Sequence, residues 1–172
     1  GYLGNDTRLR MAFEQLDQTI VHQNPYYRVQ QEHYRLPNGD IGTYYPIRGL
    51  QSVFIIPQLA DGRFVVVRQW RYVLQQASIE FPAGKIDSNE TPLQAAEREL
   101  QEETGCHGQL QALGWYAPCN GLSDEHCYVF LATNVQLGER QPEVTEDITV
   151  EYVTANELQT YIAQGKIKDG MT

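Results

Sequence analysis

Residues 84–106 read GKIDSNETPLQAAERELQEETGC, and four glutamates stand within seven positions of this stretch, at 97, 99, 102 and 103. Residues four apart on a helix are neighbours, so Glu99 and Glu103 would repel each other by about 0.2–0.5 kcal/mol. Two interpretations are open. Either the helix presents a solvated acidic face with Arg98 as its partner, or a cation binds among the carboxylates.

The residues on both sides of the acidic cluster predict a helix over about 92–104. Thr91 and Gln94 have the spacing of a capping box, and Pro92 stands at the first helical position. Gly105 is the residue type expected directly after a helix ends. The glutamates therefore lie in the second half of a helix whose two ends are both defined by the sequence.

The apolar residues of this helix place two glutamates at the border of a buried stripe. Leu93, Ala96 and Leu100 share one side of the helix and are expected to face a core. Glu99 and Glu103 lie along one edge of that stripe, where a carboxylate is partly desolvated. A helix also favours cations near its C-terminal turn. A hard divalent cation would remove both costs, and Mg²⁺ and Mn²⁺ take oxygen ligands of this kind.

Strand-like runs occupy most of the remaining chain. Turn signals stand at PNGD (37–40), between Tyr-rich arms, and at Asp61-Gly62, where a hairpin is expected between two apolar runs. Strands are predicted at 52–58, 63–70, 78–84, 109–118, 125–135 and 147–153. The first two of these runs are the most apolar and are expected to be central strands.

Two further helices are predicted, one near each end of the chain. Leu9, Ala12, Phe13 and Leu16 have the spacing of one buried helical stripe. A second helix is expected to begin at 154–156 and to end at Gly165. Many strands and few helices, in this order, indicate an α/β (α+β) fold in which a mixed sheet lies between helices, with an antiparallel strand layer before it.

Composition excludes several classes of protein. The net charge of −9 disfavours a nucleic-acid partner, which usually requires a basic patch. No apolar run approaches the roughly 18 residues of a membrane span, and the first residues lack the order of a signal peptide. Three cysteines at irregular spacing indicate reduced thiols and a cytoplasmic protein.

The acidic stretch resembles the signature of the Nudix hydrolases, a box of nine positions at fixed spacing. The matching residues are Gly84, Glu90, Arg98, Glu99, Leu100, Glu102, Glu103, Gly105 and Cys106, of which only Cys106 is an unusual choice for its apolar position. IEFPAGKID, RQWRY and NPYYRVQQEHYRLPNG resemble segments of the ADP-ribose pyrophosphatase-like members. The resemblance implies the Nudix α/β/α sandwich over residues 46–172 and a dimerising strand layer, with the N-terminal helix, over residues 1–45.

The resemblance also assigns roles around the metal. Glu99 and Glu103 are implied ligands of Mg²⁺, for which Mn²⁺ is a possible substitute, and Glu102 and the Ala83 carbonyl are further expected ligands. Glu103 is counted among the catalytic residues for this reason. Glu90 and Arg98 are expected to pair and, with Gly84 and Gly105, to shape the box; an ordinary surface ion pair is the competing interpretation.

Outside the box, the resemblance implies substrate contacts and a base. Arg71 and Glu80 are expected to contact the substrate, although a structural salt bridge is an alternative. Tyr27 is a candidate for stacking on a nucleobase, against the simpler interpretation of packing on a strand. Glu146, and after it Glu143, is the candidate base that takes a proton from the attacking water.

The implied reaction is Mg²⁺-dependent hydrolysis of the pyrophosphate linkage of ADP-ribose or a related nucleoside diphosphate sugar, giving a nucleoside monophosphate and a sugar phosphate. A pyrophosphatase for nucleoside diphosphate hexoses, of the GDP-mannose or UDP-glucose type, is the alternative within the enzyme class. A non-catalytic nucleotide-sensing domain is disfavoured because all box glutamates are present. A homodimer through the N-terminal strands is expected, since a lone exposed hairpin is marginally stable.

Overall fold

The computed structural model describes residues 13–139 and 148–172. The chain divides into two units, one made of the residues up to Leu50 together with Cys119–Glu125, the other of Gln51–Pro118 and His126–Thr172. Neither helix among the described residues has the length and apolar character that crossing a membrane requires.

The N-terminal unit is built around a long antiparallel hairpin. Strand β1 (Glu14–Gln23) pairs with β2 (Arg28–Arg35), which also pairs with the short strands β3 (Ile41–Tyr44) and β4 (Ile47–Arg48). The predicted turn at 37–40 is confirmed, because Leu36 and Asp40 close it with a backbone hydrogen bond of 2.8 Å.

The predicted N-terminal helix is wrong where it extends into the described residues. Leu16 lies in β1, whose ten residues are all exposed, and Phe13 precedes that strand. The helical spacing of these side chains was outweighed by backbone pairing with β2, which decides strand formation independently of any single-strand pattern. Leu9 and Ala12 lie outside the described residues.

The second unit contains the remaining strands and both described helices. The strands are β5 (Gln51–Pro57), β6 (Phe64–Arg71), β7 (Gln76–Glu80), β8 (Ala83–Lys85), β9 (Cys106–Tyr116), β10 (His126–Leu137) and β11 (Ile148–Val153). The helices are α1 (Pro92–Thr104) and α2 (Ala155–Ala163).

These strands form two sheets. One has the order β8-β5-β10-β9 and is mixed, because β10 runs parallel to β5 and antiparallel to β9. The other has the order β11-β6-β7 and is antiparallel. The runs β5 and β6 are central as predicted. The expected hairpin turn is present at Gly62, where Gln58 and Phe64 form an antiparallel bridge, but the two strands then separate into different sheets.

The two helices cover opposite faces of these sheets. Along β5, Val53 and Ile55 point into a core with Ala96 and Leu100 of α1, whereas Phe54 points into a second core, against which α2 packs. Alternation along a strand produces this division, because successive side chains point to opposite faces. The predicted sandwich of a mixed sheet between helices is therefore confirmed.

The buried side of α1 differs in part from the predicted stripe. Ala95, Ala96 and Leu100 are buried, whereas Leu93 is 44% exposed. Leu93 stands in the first helical turn, beyond the area that the sheets cover. Glu103 takes the place of an apolar residue at the other end of the stripe, where it is buried.

Candidate active site

Helix α1 carries the predicted site residues and has defined ends, as the sequence indicated. Thr91 Oγ1 accepts a hydrogen bond from Gln94 N at 3.3 Å, and the Gln94 side chain accepts one from Thr91 N at 2.9 Å. Gly105 ends the helix in the left-handed region (φ 73°) and donates its N–H to Gln101 O. These caps hold the last helical turn, and with it the glutamates, in a fixed orientation.

Glu103 is a buried carboxylate beside the strand that opens the box. It is 3% exposed, and its Oε2 accepts a hydrogen bond of 3.2 Å from the backbone N–H of Ala83, the first residue of β8. Burial of an ionised carboxylate is costly unless polar groups or cations compensate for the lost hydration. Its environment is therefore that of a functional group and not of a solvated helix face.

Gly84 leaves room for the Glu99 carboxylate. A Cβ atom added to Gly84 would lie 2.0 Å from Glu99 Oε1, so the end of the Glu99 side chain would have to move. The backbone of β8 and the carboxylates of α1 are thus packed against each other with no intervening side chain. The glycine acts here by permitting close approach, since its φ is not in the left-handed region.

Arg98 joins the box loop to the helix through a set of contacts that we call the Arg98 cluster. Nε and Nη2 bind the two oxygens of Glu90 at 2.7 and 3.0 Å, and Nη2 also donates to the Lys85 carbonyl at 3.0 Å. Nη1 donates to Glu99 Oε1 at 2.7 Å and to Glu102 Oε2 at 2.9 Å. The predicted pair of Glu90 and Arg98 is therefore present, and it is embedded in a larger network.

The charges of this cluster shift its titration in the direction that keeps it ionised. Hydrogen bonds to Glu90 raise the pKa of Arg98 above its ordinary value despite partial burial, and Glu99 and Glu102 add to this effect. The hydrogen bonds from Arg98 lower the pKa of Glu90. Both groups consequently remain charged at neutral pH.

The donor chemistry of the box fits a hard divalent cation, because its ligating groups are carboxylate oxygens and a nearby backbone turn. Within residues 13–139 and 148–172, no three His, Cys, Asp or Glu side chains are grouped so that they could hold a metal ion as they stand. In this arrangement the carboxylates of Glu99 and Glu102 contact Nη1 of Arg98. A cation would compete with Nη1 for these oxygens, next to Gly84, which adds no side chain.

Arg71 and Glu80 form a second ion pair, on neighbouring strands. Arg71 Nε lies 3.0 and 3.1 Å from the two oxygens of Glu80, and Nη2 completes the contact with Oε2. The Glu80 side chain is 6% exposed and that of Arg71 is 42% exposed. The salt bridge that was the predicted alternative is therefore present. It does not exclude substrate contact, because both residues also line a cavity.

That cavity has a volume of about 580 Å³. Its walls are the ends of β6 and β7, the turn between them and a segment beyond α2, and the lining residues are Gln69, Trp70, Arg71, Tyr72, Val73, Leu74, Glu80, Lys168, Asp169 and Gly170. This combination of apolar surface with a few charged groups is typical of small-molecule sites.

The Arg71 pair and the acidic helix belong to one electrostatic environment. The hydrogen bond to Glu80 raises the pKa of Arg71, burial opposes this shift, and the negative charges of Glu103 and Asp169 add to it. The cavity therefore lies within electrostatic reach of the buried Glu103 carboxylate. The structure thus brings Arg71 and Glu80 within electrostatic reach of Glu103, which lies more than 20 residues beyond Glu80 in the sequence.

The roles of three other predicted residues are not tested by the described structure. Tyr27 lies in the N-terminal unit, in the turn between β1 and β2, where its ring centroid is 6.1 Å from that of His22. Glu143 and Glu146 lie outside the described residues. The stacking role of Tyr27 and the identity of the base stay predictions.

Sequence reasoning missed several contacts of the site. Gln69 Nε2 donates to Glu80 Oε2 at 3.3 Å and lines the cavity. Gln69 stands two residues before Arg71 on the same strand, so period-two alternation could have found it. Asp169, by contrast, reaches the cavity from beyond α2, and no local pattern indicates that position.

Comparisons with known proteins agree with this site. The family model described as the NUDIX domain matches residues 50–170. The chain is 31% identical over 144 residues to the ADP-ribose pyrophosphatase of Bacillus subtilis, covering 82% of this chain and 78% of that protein. It is 32% identical over 149 residues to the methanol dehydrogenase activator of Bacillus methanolicus, covering 84% and 80%.

A solved structure, that of an ADP compounds hydrolase, has a TM-score of 0.82 over 93% of this chain and 88% of that chain, at 18% identity. This likeness shows the fold. The family match covers the sheets, the box and both helices of the second unit, and it agrees with the buried carboxylate and the glycine cradle found there. The chain belongs to the Nudix hydrolase family.

Proposed function

We propose that this hydrolase cleaves the pyrophosphate linkage of ADP-ribose or a related nucleoside diphosphate sugar, giving a nucleoside monophosphate and a sugar phosphate. The observation that carries the proposal is the buried Glu103 carboxylate, bound by the N–H of Ala83 three residues after Glu80, which lines a cavity with Arg71. The similarity to the ADP-ribose pyrophosphatase of Bacillus subtilis supports the substrate class.

In this proposal Glu99, Glu102 and Glu103 hold Mg²⁺, or Mn²⁺ in its place, together with the carbonyl of Ala83. The cation would neutralise the pyrophosphate oxygens and acidify water. The N–H of Ala83 orients Glu103, and Gly84 leaves room for the Glu99 carboxylate.

Arg98 would release Nη1 from Glu99 and Glu102 when the cation binds, while its bonds to Glu90 and the Lys85 carbonyl keep the loop on the helix. These latter bonds use Nε and Nη2, so they are independent of the contacts that a cation would displace. The box can therefore keep its shape while its carboxylates change partner.

The chain's other residues bind the substrate and move the proton. Arg71 donates to phosphate or ribose oxygens, and Glu80 accepts hydrogen bonds from sugar hydroxyls. Tyr27 stacks on the base, and Glu146 or Glu143 takes the proton from the attacking water. Replacing Glu146 and Glu143 in turn by Gln should identify the base. Only the variant that lacks the base should lose most of the kcat while its KM stays unchanged.

The reaction is tested by a phosphate-release screen, coupled to a phosphatase, over ADP-ribose, GDP-mannose, UDP-glucose, NADH and dinucleoside polyphosphates, each with Mg²⁺ and with Mn²⁺. We expect the largest kcat/KM for ADP-ribose. A larger kcat/KM for GDP-mannose or UDP-glucose would favour the nucleoside diphosphate hexose alternative. Tight nucleotide binding without turnover in either metal would indicate a sensing domain and contradict the proposal.

We further propose that residues 1–45 form a dimerisation layer attached to the hydrolase domain of residues 46–172. Support comes from β1, whose residues are all exposed although they include Leu16, Ile20 and Val21. An exposed edge strand with apolar side chains is a template for pairing with another chain. Light scattering at micromolar concentration should give the mass of a dimer, and an Ile20→Lys variant should give a monomer; a wild-type monomer would contradict the dimer.

The three cysteines, which are free thiols in the structure, are consistent with a cytoplasmic protein. Fractionation of cells that express the native chain tests this location.

A further inference from the structure

The side chain of Thr172 connects the segment beyond α2 to the end of β7. Thr172 Oγ1 accepts a hydrogen bond of 3.1 Å from the backbone N–H of Phe81. The same hydroxyl donates to Asp169 Oδ2 at 2.7 Å, and Thr172 N donates to that oxygen at 2.9 Å. We call this arrangement of Asp169, Thr172 and the Phe81 amide the latch. A hydroxyl suits the position because it can donate and accept at once.

The latch provides a hydrogen-bond acceptor for the Phe81 N–H, which the strands do not pair. The β6–β7 ladder ends with the pair Val67 and Glu80, so the Phe81 amide follows the last paired residue of β7. Phe81 is 7% exposed, and a buried amide without a partner costs about 1–3 kcal/mol. Thr172 supplies the acceptor that neither strand provides at this point.

Phe81 stands between the two parts of the candidate site. The residue before it is Glu80, which binds Arg71 in the cavity. Two residues after it, Ala83 donates its N–H to Glu103. A displacement of the Phe81 backbone would therefore move the cavity and the buried carboxylate relative to each other, and an error of about 1 Å in such geometry can cost about 10²-fold in rate.

The segment that carries the latch is itself part of the cavity wall. Ile167 and Met171 pack against the core cluster that includes Phe81, while Asp169 lines the cavity. The negative charge of Asp169 also contributes to the raised pKa of Arg71. Apolar packing on one side and the latch on the other thus hold this segment against the site.

We propose that Thr172 and Asp169 are positioning residues of the hydrolase, which act through the Phe81 amide to hold Glu80 and the Ala83 turn in register with Glu103. The inference rests on the proposed function for the reaction that is measured, whereas the latch itself can be tested without turnover. Neither residue belongs to the box, and neither is a metal or substrate ligand in the proposal above.

The test compares two variants of Thr172 and Asp169→Asn with a control variant. Thr172→Val keeps the shape of the side chain and removes both hydrogen-bonding roles, and Thr172→Ser retains the hydroxyl. Thr160→Val is the matched control, because Thr160 Oγ1 only donates to Asn156 O at 2.8 Å on exposed helix α2. The readouts are exchange of the Phe81 amide by NMR, kcat and KM for the best nucleotide sugar, Mn²⁺ affinity by electron paramagnetic resonance, and melting temperature.

We expect Thr172→Val to lose protection of the Phe81 amide and about 10-fold in kcat, within the range known for misplaced catalytic groups. Its Mn²⁺ affinity should also weaken, and its melting temperature should fall by a few degrees, because the buried Phe81 amide loses its acceptor. Thr172→Ser and Thr160→Val should retain wild-type values. Asp169→Asn should show a smaller loss than Thr172→Val, because an amide oxygen can still accept from Thr172.

Three outcomes would overturn the latch. The first is rapid exchange of the Phe81 amide in the wild type. The second is a Thr172→Val enzyme whose kcat and Mn²⁺ affinity equal those of Thr160→Val, which leaves the proposed function intact. The third concerns the case in which the wild type does not hydrolyse any nucleotide sugar, so that the proposed function fails. In that case a Thr172→Val variant with unchanged Mn²⁺ affinity would exclude the positioning role too.

Discussion

The Arg98 cluster and the Arg71 pair are built from the same residue types but differ in what their arginines contact. Arg98 divides its donors among three carboxylates and one backbone carbonyl, and its side chain is 27% exposed. Arg71 directs its hydrogen bonds to one carboxylate and is 42% exposed at the cavity. An arginine with several acceptors links segments of the chain, whereas one with a single buried partner is oriented towards a ligand space.

This difference separates structural from substrate-directed roles within one site. A network holds its geometry when one contact is exchanged, so Arg98 can lose Nη1 contacts to a cation and still hold the loop. The Arg71 pair lacks additional carboxylate partners of this kind, because Arg71 binds Glu80 alone among the contacts described above. Removing either partner therefore changes both the charge and the shape of the cavity. Substitutions should therefore affect stability at the Arg98 cluster and substrate binding at the Arg71 pair.

The largest effect is expected for Glu103, whose charge acts on Arg71 and whose helix carries Arg98. Glu103→Gln keeps the hydrogen bond from Ala83 possible but removes a negative charge from the proposed cation site. We expect kcat/KM to fall by about 10³-fold with the fold intact by circular dichroism, as for other removed electrostatic groups. Glu97→Gln, an exposed neighbour on the same helix, is the control, and equal activity of the two variants would exclude the role of Glu103.

The second prediction concerns stability and applies to the Arg98 cluster. Arg98→Met leaves three carboxylates without their shared partner, and we expect about 2 kcal/mol lower free energy of unfolding in urea, less than for a fully buried pair. Arg68→Met is the matched control, because Arg68 binds Glu151 at 2.6 Å with a 44% exposed side chain. A loss below about 1 kcal/mol is expected there. Equal losses would mean that the cluster is an ordinary surface network.

The Arg71 pair should respond in binding more than in stability. Glu80→Gln keeps the side-chain shape and removes the charge that orients Arg71. We expect KM for the nucleotide sugar to rise about 10-fold, or about 1.4 kcal/mol, with kcat reduced less. The measurement is steady-state kinetics together with urea unfolding. A large loss of stability at unchanged KM would instead assign the pair a purely structural role.

The smallest effect is the contribution of Glu90 to stability in acid. Because its pKa is lowered by Arg98, its stabilising effect is complete above the ordinary pKa of about 4.3 and is lost as pH falls through the lower folded value. Unfolding free energies at pH 3 to 7 should therefore decline less steeply below pH 4.5 for Glu90→Gln than for the wild type. Glu97→Gln provides the reference, and parallel curves for all three proteins would contradict the prediction.

Local patterns predicted the parts of the molecule in which sequence neighbours decide structure. The capping box at Thr91, Pro92 at the start of α1 and Gly105 at its end led to correct helix bounds, because helix ends depend on groups within a few residues. The same argument failed for β1, where pairing with β2 and not local spacing decided the conformation. At Gly62 it predicted the tight turn correctly but not the sheets, since a tight turn does not determine whether its two strands stay in one sheet.

The residues of the site also differ in whether local sequence could predict them. The nine box positions stand within 23 consecutive residues, 84–106, so their spacing could be read directly. The contacts of Arg98 with Glu99 and Glu102, the burial of Glu103 and the closeness of Gly84 to Glu99 depend on side-chain directions that spacing does not contain. Asp169 and Thr172 were missed because their roles arise only when β7 and the segment beyond α2 meet.

By itself, the sequence determined the family, the helix that carries the carboxylates and the set of groups able to hold a cation, because these follow from residue identity at short range. Only the tertiary structure decided that Glu103 is buried, that Arg98 links the box loop to the helix and that Arg71 faces a cavity. It also decided that Thr172 binds the Phe81 amide. The physical reason is that desolvation and charge coupling depend on distances between segments that are remote in the chain.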